Sequence, residues 1–394
     1  MDQLELLAKI GNGETSTVQF KESFPHQDTI IQEMVAMSNA KGGDILFGVK
    51  DKTGEVTGLT YEEIQDINRK VANIATNNIN PMIYVTTETI TVAGESGNKS
   101  VLIVSINEGG NKPYKDNQGV IWMKQGSDKK RMTDNNEILR LFQHSGTFYA
   151  DEQPVPYTSV ADVNKVLVNE FLLKEYGQGI DEIGISYDKL LSNLNIVRED
   201  KLSLAGLLYF GKNPQQYRPS FIIKAVSFFG NDIAGTDYRD SKDLTGTIPQ
   251  LFEKGMSFLK SNLKQLQSGQ GFNTTGKLEI SEIALEELLQ NALVHRDYTK
   301  NASVRILIFD DRIEIISPGR LPNSLTIDNI KFGNAVVRNN IIASLCAKTM
   351  PYRGLGSGIK RSIKEEPEIE LINDVDGEQF IVKIPRKGWK EIVE

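Results

Sequence analysis

The sequence predicts an α+β protein of three domains: an α+β domain at residues 1–145, a middle α/β region at 146–275 and an α/β domain at 276–394. The 394 residues are 39% hydrophobic and 25% charged, which is typical of a soluble globular protein with more than one domain. Short apolar strand patterns occur among amphipathic helical patterns along the chain. The stretch at 151–156, DEQPVP, marks a boundary after the first region.

The composition excludes several classes of protein. The net charge is −7 and the pI is near 5.3, so nucleic-acid binding would have to come from a local basic patch. The single cysteine, Cys346, cannot form an internal disulfide, and three histidines give no Cys/His zinc cluster. The N-terminus has no signal-peptide pattern, and no apolar run approaches the roughly 18 residues of a membrane span. We therefore expect a cytoplasmic protein that does not contact a membrane.

The first region alternates helices with short strands. A short helix is followed by a strand at 18–20 and a helix at 29–39. The turn at 41–44, KGGD, leads into the apolar strand ILFGV at 45–49, which ends at Asp51 before a hairpin turn. A helix at 61–77 and strands at 83–92 and 101–106 complete this pattern. A buried strand with a polar end is a common place for a functional site.

A segment after these strands interleaves basic and aromatic residues. Aromatic faces stack on bases and Lys or Arg side chains neutralise phosphates, so we expect a nucleic-acid interface here. The alternative is an ordinary solvated surface rich in lysine. The candidate residues are Lys112, Tyr114, Trp122, Lys124, Lys129, Lys130 and Arg131.

The middle region shows no pattern that indicates chemistry. We expect helices at 163–176 and 187–194, a strand at 221–229 and a helix at 249–266. Charged residues such as Arg239 and Lys242 are interpreted as surface or interface residues.

The third region begins with the stretch SEIALEELLQNALVHRDY at 281–298. On a helix that follows Ser281 as N-cap, Leu285, Leu288, Leu289 and Ala292 share one face. Glu287 and Asn291 stack one turn apart on another face, where a carboxylate and an amide suit a metal ion and a water molecule. The alternative is an ordinary surface helix with solvated polar residues.

Two glycine-containing turns follow the helix. Strands at 303–309 and 312–317 form a hairpin, and the turn SPGRLP at 317–322 contains Gly319. The turn RGLGSGI at 353–359 contains Gly354, Gly356 and Gly358, whose backbone amides can approach a phosphate closely. A flexible turn explains the same glycines equally well. A closing hairpin is expected at 369–384.

The first region resembles the Schlafen-like AlbA domain. The resemblance rests on ETSTVQFKES from Glu14, on MSNAKGG at 37–43 and on ILFGVKD, which ends at Asp51. In RNA-cleaving members of that family, two glutamates five apart and a later aspartate form a metal-dependent acidic site. Glu14 and Asp51 match two of these positions, whereas Gln19 stands where the second carboxylate is expected and only Lys21 and Glu22 lie nearby to compensate.

The third region resembles the GHKL-type ATP-binding domains, and more closely the HATPase-like domain found behind Schlafen-like AlbA domains. The resemblance is carried by NALVHRDY, SPGRLP and RGLGSGI in that order, and it implies an α/β sandwich. It also implies that Asn291 binds Mg²⁺, that Glu287 orients or deprotonates the attacking water, and that Gly354, Gly356 and Gly358 hold phosphate.

Two departures from that family's pattern stand out. The turn at Ser317-Pro318-Gly319 lacks the aspartate that accepts a hydrogen bond from adenine, although Gly319 remains a candidate nucleotide contact. Relatives commonly continue into a winged helix-turn-helix, whereas this chain ends at Glu394. A regulator would then have to use its N-terminal domain to bind nucleic acid.

We expect an ATP- and Mg²⁺-binding intracellular regulator, of transcription for example, that binds DNA or RNA and forms homo-oligomers. Whether ATP is only bound or also slowly hydrolysed through Glu287 stays open. Two alternatives remain. One is a metal-dependent RNA endonuclease, for example in defence against phage, using Glu14, Asp51 and Lys21. The other is an inactive assembly module.

Overall fold

The computed structural model divides the chain into two compact units, Met1–Phe148 and Tyr149–Glu394. It describes residues 2–51, 53–93, 97–235, 237–266, 277–322, 325–352, 354 and 356–386. Both units mix helices with sheets, which confirms the expected α+β class. Within these described ranges, no helix is both long enough and apolar enough to cross a membrane.

The first unit contains the expected succession of helices and strands. Its elements are α1 (Gln3–Gly11), β1 (Val18–Lys21), α2 (Gln27–Asn39), β2 (Gly43–Phe47), α3 (Tyr61–Asn77), β3 (Ile79–Asn80), β4 (Val85–Val92), β5 (Lys99–Ile106), β6 (Lys115–Asp116), β7 (Trp122–Gln125), β8 (Asp128–Arg131) and α4 (Asn135–His144).

A four-stranded sheet, in the order β1-β2-β5-β4, forms the centre of the first unit. The β1–β2 pair is parallel and the other two pairs are antiparallel. Because successive side chains on a strand point to opposite faces, Ile45 and Phe47 of β2 join the core formed with α2 and α3. Leu46 joins the core on the other face, formed with α1. The same alternation places Gln19 and Lys21 of β1 on one face of the sheet.

The second unit begins with short elements that lead to a larger sheet. Its helical elements are two 3-10 turns (Ala150–Glu152 and Val160–Asp162), α5 (Lys165–Tyr176), α6 (Tyr187–Asn193), α7 (Leu204–Phe210), α8 (Pro214–Tyr217), α9 (Ile248–Asn262), α10 (Glu282–Val294), α11 (Ile327–Lys331), α12 (Asn340–Thr349) and α13 (Gly358–Glu365). Its strands are β9 (Val197–Arg198), β10 (Lys201–Leu202), β11 (Ile223–Phe228), β12 (Tyr238–Leu244), β13 (Gln265–Leu266), β14 (Lys277–Leu278), β15 (Val304–Ile308), β16 (Arg312–Pro318), β17 (Glu370–Asp374) and β18 (Gln379–Pro385).

The six-stranded sheet of the second unit has the order β12-β11-β15-β16-β18-β17. β11 lies parallel to β15, with Ile223 opposite Val304, and the remaining pairs are antiparallel. The middle region therefore supplies two strands to the sheet that the sequence analysis placed in a separate third domain. The predicted boundary at residue 275 would divide one sheet and its core. The structure therefore has two compact units where three were expected.

Helices α9 and α10 cover this sheet. An added Cβ on Gly255 of α9 would stand 2.8 Å from the side chain of Leu289 on α10, so the absence of a side chain allows close packing. Leu285, Leu288 and Leu289 are all at most 1% exposed, as the helical pattern predicts. Ser281 lies at the N-cap position, but its backbone N–H donates to Glu366 and its hydroxyl to Glu365, so it makes no side-chain cap.

Candidate functional site

One pocket in the second unit collects the residues that the sequence assigned to nucleotide binding. It lies between α10, the end of β16 and the turn before α13, and encloses about 1070 Å³ of empty space including its open mouth. Six predicted residues from three separate segments line it: Glu287, Asn291, Gly319, Gly354, Gly356 and Gly358. Arg353 and Leu355, which belong to the same sequence motif, lie outside the described residues.

Helix α10 presents Glu287 and Asn291 to the pocket. The opposite face of the helix is buried against the sheet, so these two side chains, one turn apart, face the cavity. Glu287 is 9% exposed, and its Oε1 accepts a hydrogen bond from Nη2 of Arg361. Asn291 is partly exposed. A nearly buried carboxylate therefore stands beside an amide that reaches the cavity.

Three of the pocket glycines occupy positions that leave no room for a side chain. A Cβ on Gly358 would lie 2.3 Å from Oε2 of Glu287, and one on Gly356 would lie 2.0 Å from the carbonyl oxygen of Gly333. A Cβ on Gly319 would lie 2.4 Å from the Cβ of Asp297. Gly319, Gly354 and Gly356 also have positive φ angles of 98°, 66° and 70°, which favour glycine. Their backbone can therefore approach a ligand where a larger residue could not.

Three arginines in the pocket lining were missed by the sequence analysis. Arg320 follows Gly319, Arg338 donates from Nη2 to the carbonyl oxygen of Arg320 over 2.8 Å, and Arg361 binds Glu287. They come from separate segments, so their convergence is not visible in the sequence. The one local signal is the position of Arg361, which is one helical turn after Gly358 on α13.

His295 and Tyr352 form an uncharged polar pair in the lining. Nε2 of His295 and the Tyr352 hydroxyl are 3.2 Å apart. Burial, together with the positive charge of Arg338, lowers the pKa of His295 to about 4. Burial raises the pKa of Tyr352 to about 12. At neutral pH both side chains are therefore neutral.

The rest of the lining is largely apolar. Its apolar residues include Ala292, Ile315, Leu321, Ile330, Val336 and Val382. Among the described lining residues, Glu287 is the only carboxylate. An apolar wall, backbone that approaches closely at glycines, cationic arginines and the side-chain amides of Asn291 and Asn334 suit a nucleotide: the wall fits a base, and the glycines and arginines fit phosphates.

In the first unit, the residues of the proposed nuclease site form two pairs. Oε1 of Glu14 accepts from the side-chain amide of Gln19 and from the Phe20 backbone N–H at 2.9 Å. Nζ of Lys21 donates to Asp51 over 3.0 Å. Both carboxylates are thus held by donors from β1. Across the described ranges, no group of three or more His, Cys, Asp or Glu side chains is arranged to hold a metal ion.

The predicted nucleic-acid interface is only partly on the surface. Lys112 and Lys124 are 4% and 8% exposed, and Tyr114 is 5% exposed within the core formed with α2 and α3. Trp122 and Lys129 are half-buried, while Lys130 and Arg131 are exposed. The interpretation of all seven residues as surface contacts therefore has to be corrected for Lys112, Tyr114 and Lys124.

Specific partners explain why these lysines are inside. Nζ of Lys124 donates to Glu33 at 2.6 Å, to Gln19 at 2.9 Å and to the Ser127 carbonyl oxygen at 2.6 Å. Lys129 donates to the other oxygen of Glu33 at 2.9 Å. Lys112 donates to Glu108 at 2.5 Å and to the carbonyl oxygen of Ala40. A buried ammonium is tolerated when such acceptors surround it.

Comparison with known proteins supports both resemblances. Residues 14–133 match the family model described as "Schlafen, AlbA_2". Residues 301–379 match the one described as "Putative ATP-dependent DNA helicase recG C-terminal". That second segment begins after α10, so Glu287 and Asn291 lie outside it.

Similarity over the full length is weak. The crystal structure of the DIP2311 protein from Corynebacterium diphtheriae is 17% identical, with a TM-score of 0.47, over 99% of this chain and 82% of that one. No curated protein matches the chain. The two family matches confirm the architecture expected from the sequence: the chain carries a Schlafen AlbA_2 domain at its N-terminus and a HATPase-like domain at its C-terminus.

Proposed function

We propose that this protein is a nucleotide-responsive regulator that binds ATP with Mg²⁺ in the pocket of the second unit and nucleic acid through the first. One observation carries the proposal. Six residues chosen from three sequence segments, 281–298, 317–322 and 353–359, line a single pocket whose size and chemistry suit a nucleotide.

The lining residues have distinct roles in this proposal. The backbone at Gly354, Gly356 and Gly358 holds the phosphates, and the side-chain oxygen of Asn291 binds Mg²⁺. Mg²⁺ neutralises phosphate charge when bound. Glu287 accepts a proton from water if the nucleotide is hydrolysed. Binding alone is sufficient for regulation, because a ligand that prefers one arrangement of the protein shifts the population toward it.

The nucleic-acid half of the proposal rests on the Schlafen AlbA_2 match and on the exposed residues Lys130 and Arg131. Phosphate contacts from such residues give binding that weakens with salt and does not depend on sequence. The endonuclease alternative gains no support, because Gln19 replaces a carboxylate and donors hold both Glu14 and Asp51. We further propose that nucleotide binding changes how copies of the chain assemble.

The decisive experiment is calorimetry with ATP and with ADP, each with Mg²⁺, on the purified full-length chain. Wild type is expected to bind, and Asn291→Ala to lose about tenfold or more in affinity for the Mg²⁺ complex. Asn193→Ala, an exposed asparagine at the end of α6 in the same unit, is the matched control and should bind as wild type does. If wild type binds neither nucleotide, the proposal fails.

A further inference from the structure

The carboxylate of Glu287 is held from two sides by helix α13. Arg361 donates from Nη2 to Oε1, and Gly358 packs so closely that an added Cβ would lie 2.3 Å from Oε2. Both residues of this ion pair line the pocket. In this arrangement a general base would be engaged by a cation, which opposes its taking a proton from water.

The guanidinium of Arg361 has a hydrogen-bond donor that the ion pair with Glu287 does not use. A guanidinium carries five N–H donors in a planar fork, and phosphate oxygens bind such forks in a bidentate manner. The Nε–H of Arg361 is buried and makes no hydrogen bond with any described residue. A buried donor without a partner costs free energy that an incoming acceptor would recover. The glycines that suit phosphates, Gly356 and Gly358, precede Arg361 by five and three residues.

We propose that Arg361 exchanges partners, holding Glu287 while no phosphate is present and turning to the terminal phosphoryl group of a bound nucleoside triphosphate. This inference rests on the proposed function and adds to it a residue that distinguishes triphosphate from diphosphate. Glu287 is then released only when the triphosphate is in place. The carboxylate and the phosphoryl group compete for one guanidinium.

Because Glu287 and the phosphoryl group compete for Arg361, substitutions of Arg361 and of Glu287 should have opposite effects on the affinity for ATP. Arg361→Met removes the fork, so affinity for ATP should fall about tenfold or more while affinity for ADP changes less than about threefold. Glu287→Gln keeps the shape but removes the competing charge, so affinity for ATP should rise. That rise should disappear in the Glu287→Gln/Arg361→Met double variant, because it depends on the freed guanidinium.

The measurement is calorimetry of ATP and ADP with Mg²⁺ on these three variants, with the melting temperature of each recorded to show that it is folded. Lys360→Met is the matched control: it removes a positive charge from the neighbouring exposed position of α13, outside the pocket lining, and should leave the ATP/ADP ratio unchanged. Arg361→Lys, which keeps the charge without the fork, should recover part of the preference.

Several results would overturn the inference. If both single variants lose affinity in parallel, the ion pair is structural. If Glu287→Gln gains affinity equally with or without Arg361, the gain is a general effect of charge. An unchanged ATP/ADP ratio in Arg361→Met also rejects the inference. In all these cases wild type still binds nucleotide, which separates them from a failure of the proposed function, where wild type binds neither nucleotide.

Discussion

Gly358→Ala tests whether the contact between α13 and Glu287 belongs to the binding site. The added methyl group would stand 2.3 Å from Oε2 of Glu287 and 3.3 Å from Nδ2 of Asn291, well inside the roughly 3.5–4 Å of a favourable contact. Because Arg361 holds the Glu287 carboxylate, the side chain cannot move away without loss of that ion pair. Both polar residues of α10 should therefore be displaced.

The expected loss of stability is small. Gly358 is a helical residue without a positive φ, so alanine fits the backbone there and gains about 0.4–1 kcal/mol through the unfolded state. Overpacking costs about 1–3 kcal/mol. The net destabilisation is about 1–2 kcal/mol, which lowers the melting temperature of a unit of this size by about 2–8 °C.

The loss of binding should be much larger than the loss of stability. Calorimetry with ATP and Mg²⁺ should show a fall in affinity of about tenfold or more, because the proposed Mg²⁺ ligand Asn291 is displaced and the methyl group occupies the space in which the Gly358 backbone approaches the phosphates. Gly235→Ala is the control, since its Cβ would meet its nearest neighbour at 3.4 Å. A Gly358→Ala protein that melts a few degrees lower and still binds ATP like wild type would refute the assignment of this contact to the site.

Four further predictions follow from the rest of the molecule. The turn at Ser317 offers no carboxylate to an adenine amino group, so ATP and GTP should bind within about tenfold of each other in competition calorimetry. Lys124→Met should destabilise the first unit by about 3 kcal/mol in thermal melts, because it removes a buried partner of Glu33. Lys130→Met should leave stability within about 0.5 kcal/mol but weaken binding of a mixed-sequence oligonucleotide and reduce its salt dependence. Asp151 is buried in the first 3-10 turn of the second unit, where its Oδ2 accepts hydrogen bonds from the backbone N–H groups of Ile341 and Ile342. Burial raises its pKa to about 6 from 3.8, so its contribution to stability falls by about 3 kcal/mol as pH rises from about 4 to 6. The lowered pKa of His295, about 4 against 6.5, gives the opposite slope between about pH 4 and 6.5. Asp151→Asn keeps only the His295 contribution, so its melting temperature should rise as pH rises from about 4 to 6. His295→Gln keeps only the Asp151 contribution, so its melting temperature should fall over the same pH range.

Each of these predictions has a result that contradicts it. An ATP preference well above about tenfold would mean that another group recognises the adenine amino group. Equal effects of Lys124→Met and Lys130→Met on melting would contradict the burial of Lys124. Parallel pH profiles of the melting temperature in Asp151→Asn and His295→Gln would contradict the opposing contributions of these two groups.

Local patterns in the sequence were sufficient to predict much of the fold and the polar face of α10. The spacing of Leu285, Leu288 and Leu289 depends only on the helical repeat, and the glycine turns depend on residues close in sequence. These features were predictable because each is decided within a few residues.

Features that depend on distant partners were not predictable in this way. Lys124 reads as a surface cation until Glu33, 91 positions away, is found beside it. Arg361 and Glu287 are 74 positions apart, and no local pattern joins them. Among the described residues, two helices and three strands lie between β11 and its parallel partner β15 in the sequence, so the boundary drawn between them divided one sheet.

The shared sheet has a practical consequence for work on isolated fragments. A fragment beginning at residue 276 would lack β11, so the edge of β15 that pairs with it would present unpaired N–H and C=O groups. It would also lack α9, which covers part of α10 at Gly255 and Leu289. Open strand edges next to uncovered apolar side chains promote self-association. Excision at residue 149, ahead of both elements, keeps the sheet and its helical cover together.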